Sequence, residues 1–411
     1  MFMLAVTVLA ALALSSQSAA VLENSLLAGE TADTEGSFFG LSVPMNCCET
    51  CGNETSKRCS RCYKVRYCRR DCQRKDWARH KSNCGPFEVR ESPGKGLGLY
   101  AIRDLEIGDL IVQENPILYI EAGGIFRLSR NPEILGEAFQ GLDESDRNNI
   151  MSLTAARSNN LIRLCGVKVP NDEGFDWETV FKIFCNNCIV ANDYRDSALY
   201  GTISRINHSC SPNVEWSYVK KSSRSKEVRA FRKIKCGEEI LADYIAESGK
   251  FAVAKVREAL LRLKFGFICR CSLCSSDCTQ NDAMRQRLQL LSRIIQKNCR
   301  VNPKYAVAAA YEKCQTLQTK FCEDLIHELP MAYLELYETL VWYKIKAPGS
   351  KARVSIDGLE KDHEFYREAS WKLIQHTQLA HSKVAFLDRI GYLTQVQNQV
   401  ASGRVQIPHP F

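Results

Sequence analysis

The chain has 411 residues, enough for two or three domains with sizeable cores. Its 45% hydrophobic and 25% charged residues are ordinary for a globular protein and set aside a chain too polar to build a core. The formal net charge is +8, but 20 cysteines make that count conditional, since metal-bound thiolates are anionic. Overall basicity is therefore no argument for a nucleic-acid partner.

Residues 2–14 are apolar and are followed by SSQSAA, the length and small-residue pattern of a signal-peptide core. The stretch is too short for a transmembrane span, and it lacks a positively charged leader. Secretion would also expose many thiols to oxidation. The expectation is a cytoplasmic and/or nuclear protein, with secretion as the alternative if this stretch is a true signal peptide. The rest of residues 1–46 reads as disordered.

From Cys47 the composition changes. Eight cysteines and a histidine follow one another up to Cys84, including Cys48-x2-Cys51 and Cys59-x2-Cys62 pairs. A Cys-x2-Cys knuckle presents two thiolates at zinc-bonding distance. The stretch DCQRKDWARHKSNC predicts a helix with Asp71 as N-cap, carrying Cys72, His80 and Cys84. So small a segment cannot bury an adequate core and is expected to fold only around metal. The spacing, with YCRRDCQ and WARHKSNC, resembles a MYND zinc finger over residues 48–84. The resemblance implies interleaved ligation: Cys48, Cys51, Cys68 and Cys72 on one zinc, and Cys59, Cys62, His80 and Cys84 on the other. A register using Cys47 in place of Cys48 stays open. The resemblance also implies docking of proline-containing peptides. The many Arg and Lys residues from Lys57 to Lys81 allow a weak DNA contact or, equally, a solvated surface beside anionic metal centres.

Residues 87–121 alternate apolar and polar positions, with turns at Pro93–Gly96 and Ile107–Gly108, and predict short strands. Gly94-Lys-Gly96-Leu-Gly98 lacks the following helix that a dinucleotide-binding turn requires. Residues 122–200 predict a mainly helical insert, with a helix in FKIFCNNCIV. RINHSCSPN (205–213) is too polar and irregular for an element interior, yet it lies between apolar runs, the mark of a site. GEEILADY (237–244) and CRCSLC (269–274) follow.

The order NHSCxPN, GEExxxxY, CxCxxC resembles the SET-domain lysine methyltransferases with a post-SET zinc, and, with the finger, the SET and MYND domain (SMYD) family. Here the finger precedes the glycine turn, an order associated with arthropod SMYD-like proteins. The resemblance implies S-adenosylmethionine (SAM) binding by Lys95, Gly96, Leu97, Gly98, Asn186, Asn207, His208, Tyr244 and Phe267. His208 would act mainly through its backbone. Tyr244 is the expected catalytic residue, and Phe265 lines the lysine channel where a tyrosine is usual. Cys188 stands where the family has an aromatic. Cys269, Cys271 and Cys274 need a fourth ligand for a tetrahedron. The resemblance supplies Cys210, and Cys278 is the competitor. Three zincs per chain would bring the net charge to roughly +3.

Beyond 278 the periodicity predicts helices over Met284–Lys297, Tyr305–Leu317, Leu325–Ile345, His363–His376 and Val384–Val400. These resemble the TPR-like carboxy-terminal region of SMYD proteins. The expected architecture is α+β: a finger (48–84), a β-rich SET domain (87–245) with its insert at about 122–200, a post-SET segment (246–278) and a helical domain (279–411). The expected protein is monomeric, without a membrane span. The expected activity is SAM-dependent protein-lysine methylation, with transcriptional regulation as one setting. The alternative is a weakly active or inactive scaffold that binds proline-containing partners as a co-repressor.

Overall fold

The computed structural model describes residues 47–57, 59, 65–80, 84–121, 128, 131–155, 176–191, 196–218, 224–346, 354–356, 359–361, 363–377 and 380–402. The amino-terminal apolar stretch and Cys62 lie outside these. Among the described residues no helix is long and apolar enough to cross a membrane. The chain divides into two compact units, one ending at Pro86 and joined by Ala246–Ser248, the other comprising the remainder.

The first unit is built on thiols. Its helix α1 (Arg70–His80) is polar and buries only Cys72 and His80. The buried cluster beside it is Cys48, Cys59, Tyr67, Cys72 and Cys84, with Val65 packed against it. Tyr67 is fixed by donating its hydroxyl proton to Asp76 Oδ2 at 2.5 Å. The helix begins at Arg70, so Asp71 sits within the first turn rather than at the cap. There its charge favours the helix dipole and pairs with Arg74 at 2.8 Å. Cys84 lies beyond the helix end rather than on it.

In the second unit, β1 (Phe87–Ser92) and β2 (Gly96–Ala101) form a hairpin, with Ser92 opposite Gly96. Strand β3 (Leu110–Glu114) and β4 (Leu118–Ile120) follow. The insert gives α2 (Glu133–Gln140), α3 (Glu144–Met151) and α4 (Trp177–Asn187). Its last part is strand rather than helix: β5 (Ile189–Ala191) and β6 (Asp196–Leu199) pair, and β6 also pairs with β4. The β-branched Ile189-Val190 pair and full burial of β6 favour the sheet there.

The organising stretch gives the short β7 (Asn207–His208), followed by β8 (Val214–Tyr218), β9 (Lys226–Ala230) and β10 (Glu239–Ala242). One sheet runs β1-β2-β10-β7, with β10 antiparallel to β2 and parallel to β7. A second runs β3-β9-β8. Phe87, Leu99, Ile111, Tyr200, Ile203, Val228 and Ile240 are among the residues that fill their shared core. Asn213, 0% exposed, fastens the irregular loop to β10. Its Oδ1 accepts from Leu241 N–H at 2.7 Å and its Nδ2 donates to Glu239 O at 2.8 Å.

Helix α5 (Ala254–Phe265) leads to the CRCSLC segment. Then come α6 (Thr279–Asn298), α7 (Pro303–Leu317), a 3₁₀ segment (Lys320–Glu328), α8 (Leu329–Lys346), α9 (His363–Thr377) and α10 (Ala380–Ala401). They share a core that includes Leu288, Leu317, Leu336, Leu340, Tyr366 and Leu393. Pro303 and Pro330 fall in first helical turns, where a missing N–H leaves no bond unmade. Leu325, expected to open the helix that runs to Ile345, belongs instead to the separate 3₁₀ segment. After α8, β11 (Val354–Ile356) and β12 (Leu359–Lys361) pair antiparallel.

Candidate cofactor site and metal centres

The glycine turn and the NHSC loop meet on one carboxylate. Glu239 Oε1 accepts from Ser92 Oγ at 2.7 Å and from Asn207 Nδ2 at 2.9 Å, while Oε2 pairs with Lys95 Nζ at 2.7 Å. Asn207 Nδ2 also donates to Leu97 O at 3.2 Å. One acid thus joins β1, the turn and β7. Gly98 is needed for this packing: a Cβ there would stand 2.8 Å from both Asn207 Nδ2 and Glu239 Oε1. The expected reason, room for a ligand, is therefore joined by a demand from the protein's own side chains. Gly96 has φ +79°, which disfavours any other residue. Lys95, Gly96 and Leu97 are exposed.

The end of α4 faces the same turn. Asn186 Nδ2 donates to Thr154 O at 3.0 Å, and Asn187 Nδ2 to the same oxygen at 2.8 Å. Thr154 Oγ1 stands 3.4 Å from where a Cβ on Gly96 would be. Cys188 is the extended residue that ends α4.

Behind β7, Glu114 accepts from the backbone N–H groups of Thr202 and Ile203 at 2.9 and 2.6 Å. These open the 3₁₀ turn Ile203–Arg205 that delivers Asn207. Burial pushes the Glu114 carboxyl up to about 7, although both N–H bonds pull the other way. Arg205 Nη2 donates to Asn149 Oδ1 at 2.9 Å and Ser152 Oγ at 2.7 Å.

His208 uses its ring, not only its backbone. Nδ1 accepts from Tyr244 N–H at 3.1 Å, and Nε2 lies 3.4 Å from Cys210 Sγ. An accepting Nδ1 leaves the ring proton of the neutral form on Nε2, facing the sulfur. The Tyr244 hydroxyl donates to Ile206 O at 2.6 Å. Burial raises its pKa above the ordinary phenol value. Around that ring stand Phe265 at 5.0 Å, His208 at 5.3 Å and Trp216 at 6.4 Å between centroids. Phe267 is 5.9 Å from His208 and 6.2 Å from Phe265. Sequence reading passed over Glu239, Trp216 and Thr154. Only Glu239 lies inside one of the motifs, GEEILADY.

Three groups of ligating atoms gather within 4.8 Å of one another: Cys48, Cys51, Cys68 and Cys72; Cys59, His80 and Cys84; and Cys210, Cys269, Cys271 and Cys274. In the first, Cys51–Cys68 and Cys68–Cys72 sulfurs are 3.5 and 3.6 Å apart. Tetrahedral zinc with Zn–S bonds of about 2.3 Å needs sulfurs about 3.8 Å apart, so these donor sets fit that ion. Cys47 joins none of the groups. Cys278 instead donates its thiol to Leu273 O at 3.0 Å. In the third group, contact with Cys269 pushes the Cys210 thiol up, and contact with Cys210 pulls Cys269 down and Cys271 to about 5. Thiols so crowded cannot all ionise without a cation between them.

The parallel β7–β10 pairing, the irregular loop clasped by Asn213 and the thiol group beyond α5 define a SET-type fold, and the thiol-built finger is a separate module. The SET-domain family model matches residues 96–245 and the MYND-finger model residues 48–84. The two matches lie in MYND-then-SET order along the chain. It is 25% identical over 315 residues to human "N-lysine methyltransferase SMYD2", covering 70% of this chain and 68% of that protein. It is 25% identical over 237 residues to human "Histone-lysine N-methyltransferase SMYD3", covering 56% of this chain and 51% of that one. It is 26% identical over 227 residues to "Histone-lysine N-methyltransferase set5" of Schizosaccharomyces pombe, covering 54% and 62%.

Proposed function

We propose that this chain is a SAM-dependent protein-lysine N-methyltransferase, acting on histone and/or non-histone substrates. The observation that carries the proposal is the convergence of the glycine turn, Asn207, His208 and Tyr244 on three adjoining strands, β2, β10 and β7, with Phe265 and Phe267 against them. The curated relatives point the same way by name.

In this reading the exposed backbone of Lys95–Leu97, the amide groups of Asn186 and Asn207, and the Phe267 ring hold the cofactor. Bound SAM supplies an electrophilic methyl group on a sulfonium. Phe265, Trp216 and Tyr244 form an aromatic wall suited to a lysine side chain, whose ammonium they attract before it loses its proton. The Tyr244 phenol stays protonated, and its oxygen is held by Ile206 O, so its role is alignment rather than proton removal. The three Cys/His groups hold three zinc ions, with Cys62 completing the second set. The zinc at Cys210 ties the carboxy-terminal segment to the loop that carries Asn207 and His208.

The finger is read as a docking module for proline-containing partners, and the protein as a cytoplasmic and/or nuclear monomer. The basic side chains of the finger allow a weak DNA contact, although Arg79 and Arg74 pair with Asp76, Glu49 and Asp71. Calorimetric titration of SAM into zinc-replete protein tests the reading. One-to-one binding is expected. Folded, metal-loaded protein that binds no SAM would overturn it in favour of the peptide-binding scaffold.

A further inference from the structure

The post-SET thiols have a cationic neighbour that no motif singled out. Arg257 sits one turn into α5 and is 1% exposed, among the largest fully buried side chains of the chain. A guanidinium that deep needs its donors satisfied and its charge compensated. Only part of this is met by oxygen. Nη1 donates to Ala252 O at 2.8 Å and lies 3.5 Å from Asp282 Oδ1. Nε and Nη2 have no hydrogen-bond partner. The thiols whose charge acts on this guanidinium are Cys210 and Cys274, with sulfurs 3.5 Å apart.

A zinc ion held by four thiolates carries a net charge of −2. Of the four cysteines, Cys210 is buried and the others are partly buried. Such a centre draws in donors and positive charge from its surroundings, and these neighbours tune how firmly the metal is held. His208 Nε2 offers one donor to Cys210, and Arg257 brings the charge. Asp282, on α6, holds the arrangement from behind. Its carboxylate accepts the Ala254 N–H at 2.9 and 3.1 Å, capping α5, while facing Arg257.

We propose that Arg257 is the charge-compensating partner of the post-SET zinc–thiolate centre, positioned by Asp282, and that it sets how tightly this zinc is retained. The proposal rests on the reading of Cys210, Cys269, Cys271 and Cys274 as a zinc site. It gives the centre an electrostatic link to α6, and hence to the helical region.

The test uses the full-length, zinc-replete chain. Zinc per chain is measured by elemental analysis, and zinc release to an excess of chelator is followed in time. For wild type, three zincs are expected. For Arg257→Met, one zinc is expected to leave on the order of ten- to a hundred-fold faster, with the other two unchanged as an internal control. Arg257→Lys keeps the charge and should recover most of the retention, a rescue that a purely space-filling role would not give. Should the Met variant fail to fold, the comparison falls to Arg257→Lys and Asp282→Asn. Asp282→Asn leaves the guanidinium in place but loosens its support, and faster release is again expected. With cobalt in place of zinc, the thiolate-to-metal charge-transfer bands should shift in Arg257→Lys. Three zincs released at wild-type rates from the folded variants would overturn the role of Arg257 alone. A wild-type count of two would overturn the post-SET zinc, and this role with it.

Discussion

The backbone N–H of Tyr244 donates to Nδ1 of His208 at 3.1 Å. The bond ties the end of the β10 segment to β7 just where those strands run parallel. Tyr244 is then held at both ends, because its hydroxyl donates to Ile206 O.

Tyr244→Phe removes the second tie only. The ring keeps its contacts with His208, Phe265 and Trp216, so the fold should lose no more than about 1 kcal/mol, one hydrogen bond. Methyl transfer to a lysine peptide should fall about a hundred-fold or more, since a positioned polar group at the reacting atoms is removed. Turnover and thermal unfolding, measured on the same preparation, separate the two effects. Unchanged turnover would remove Tyr244 from the catalytic centre.

Gly98→Ala places a methyl group 2.8 Å from Asn207 Nδ2 and Glu239 Oε1. Both atoms belong to the carboxylate hub, and neither is a loose side-chain end on the surface. The strain should cost about 1–3 kcal/mol in urea denaturation and displace the Asn207 amide. SAM affinity should drop at least tenfold by calorimetry. A variant that binds SAM as wild type does would show that the hub does not position the cofactor residues.

Glu114 makes stability depend on pH. Burial raises its carboxyl from an ordinary 4.5 to about 7 in the folded chain. The folded state therefore keeps a proton that the unfolded state has already released. The resulting stabilisation is complete below about pH 4.5 and is lost as pH rises through about 7. Arg205 is the nearest opposing charge and limits the shift. Glu114→Gln cannot titrate, and its amide oxygen can still accept from Thr202 or Ile203. Urea midpoints taken across this range should decline more steeply for wild type than for Glu114→Gln. Parallel pH profiles would show that Glu114 titrates normally.

The parts legible in the sequence were those encoded by short-range spacing. Cysteine intervals grouped Cys48 with Cys51 and Cys269 with Cys274, and the helical periodicity from Met284 onward fell inside real helices except at Leu325–Glu328, which is 3₁₀. The pairing of Cys210 with a segment some sixty residues later came from family resemblance, and local pattern alone left Cys278 open. Glu239, Trp216, Thr154 and Arg257 were missed because their importance is tertiary. An acid in a strand, a tryptophan in another and an arginine in a helix read as ordinary surface or core. Only the fold shows that Glu239 collects Ser92, Lys95 and Asn207. The strands at Ile189–Ala191 and Asp196–Leu199 were hidden because short apolar runs carry no period that separates helix from strand. Pairing with Leu118–Ile120 decides the matter.

Metal removal should act first on the finger. Among its described residues the buried side chains are Cys48, Cys59, Cys72, His80 and Cys84, with Tyr67 as the one buried residue outside the thiol and imidazole groups. Stripped of zinc, this segment has almost no apolar surface to bury, and α1 is too polar and too short to persist alone. Helices α6 to α8, by contrast, rest on a core of leucines and aromatic rings that uses no metal ligand. Chelation should therefore open the segment around residues 65–84 to protease and leave most of the helical circular-dichroism signal in place. Restoring zinc should close it again. A finger that stays protease-resistant after complete zinc removal would show a source of stability other than metal.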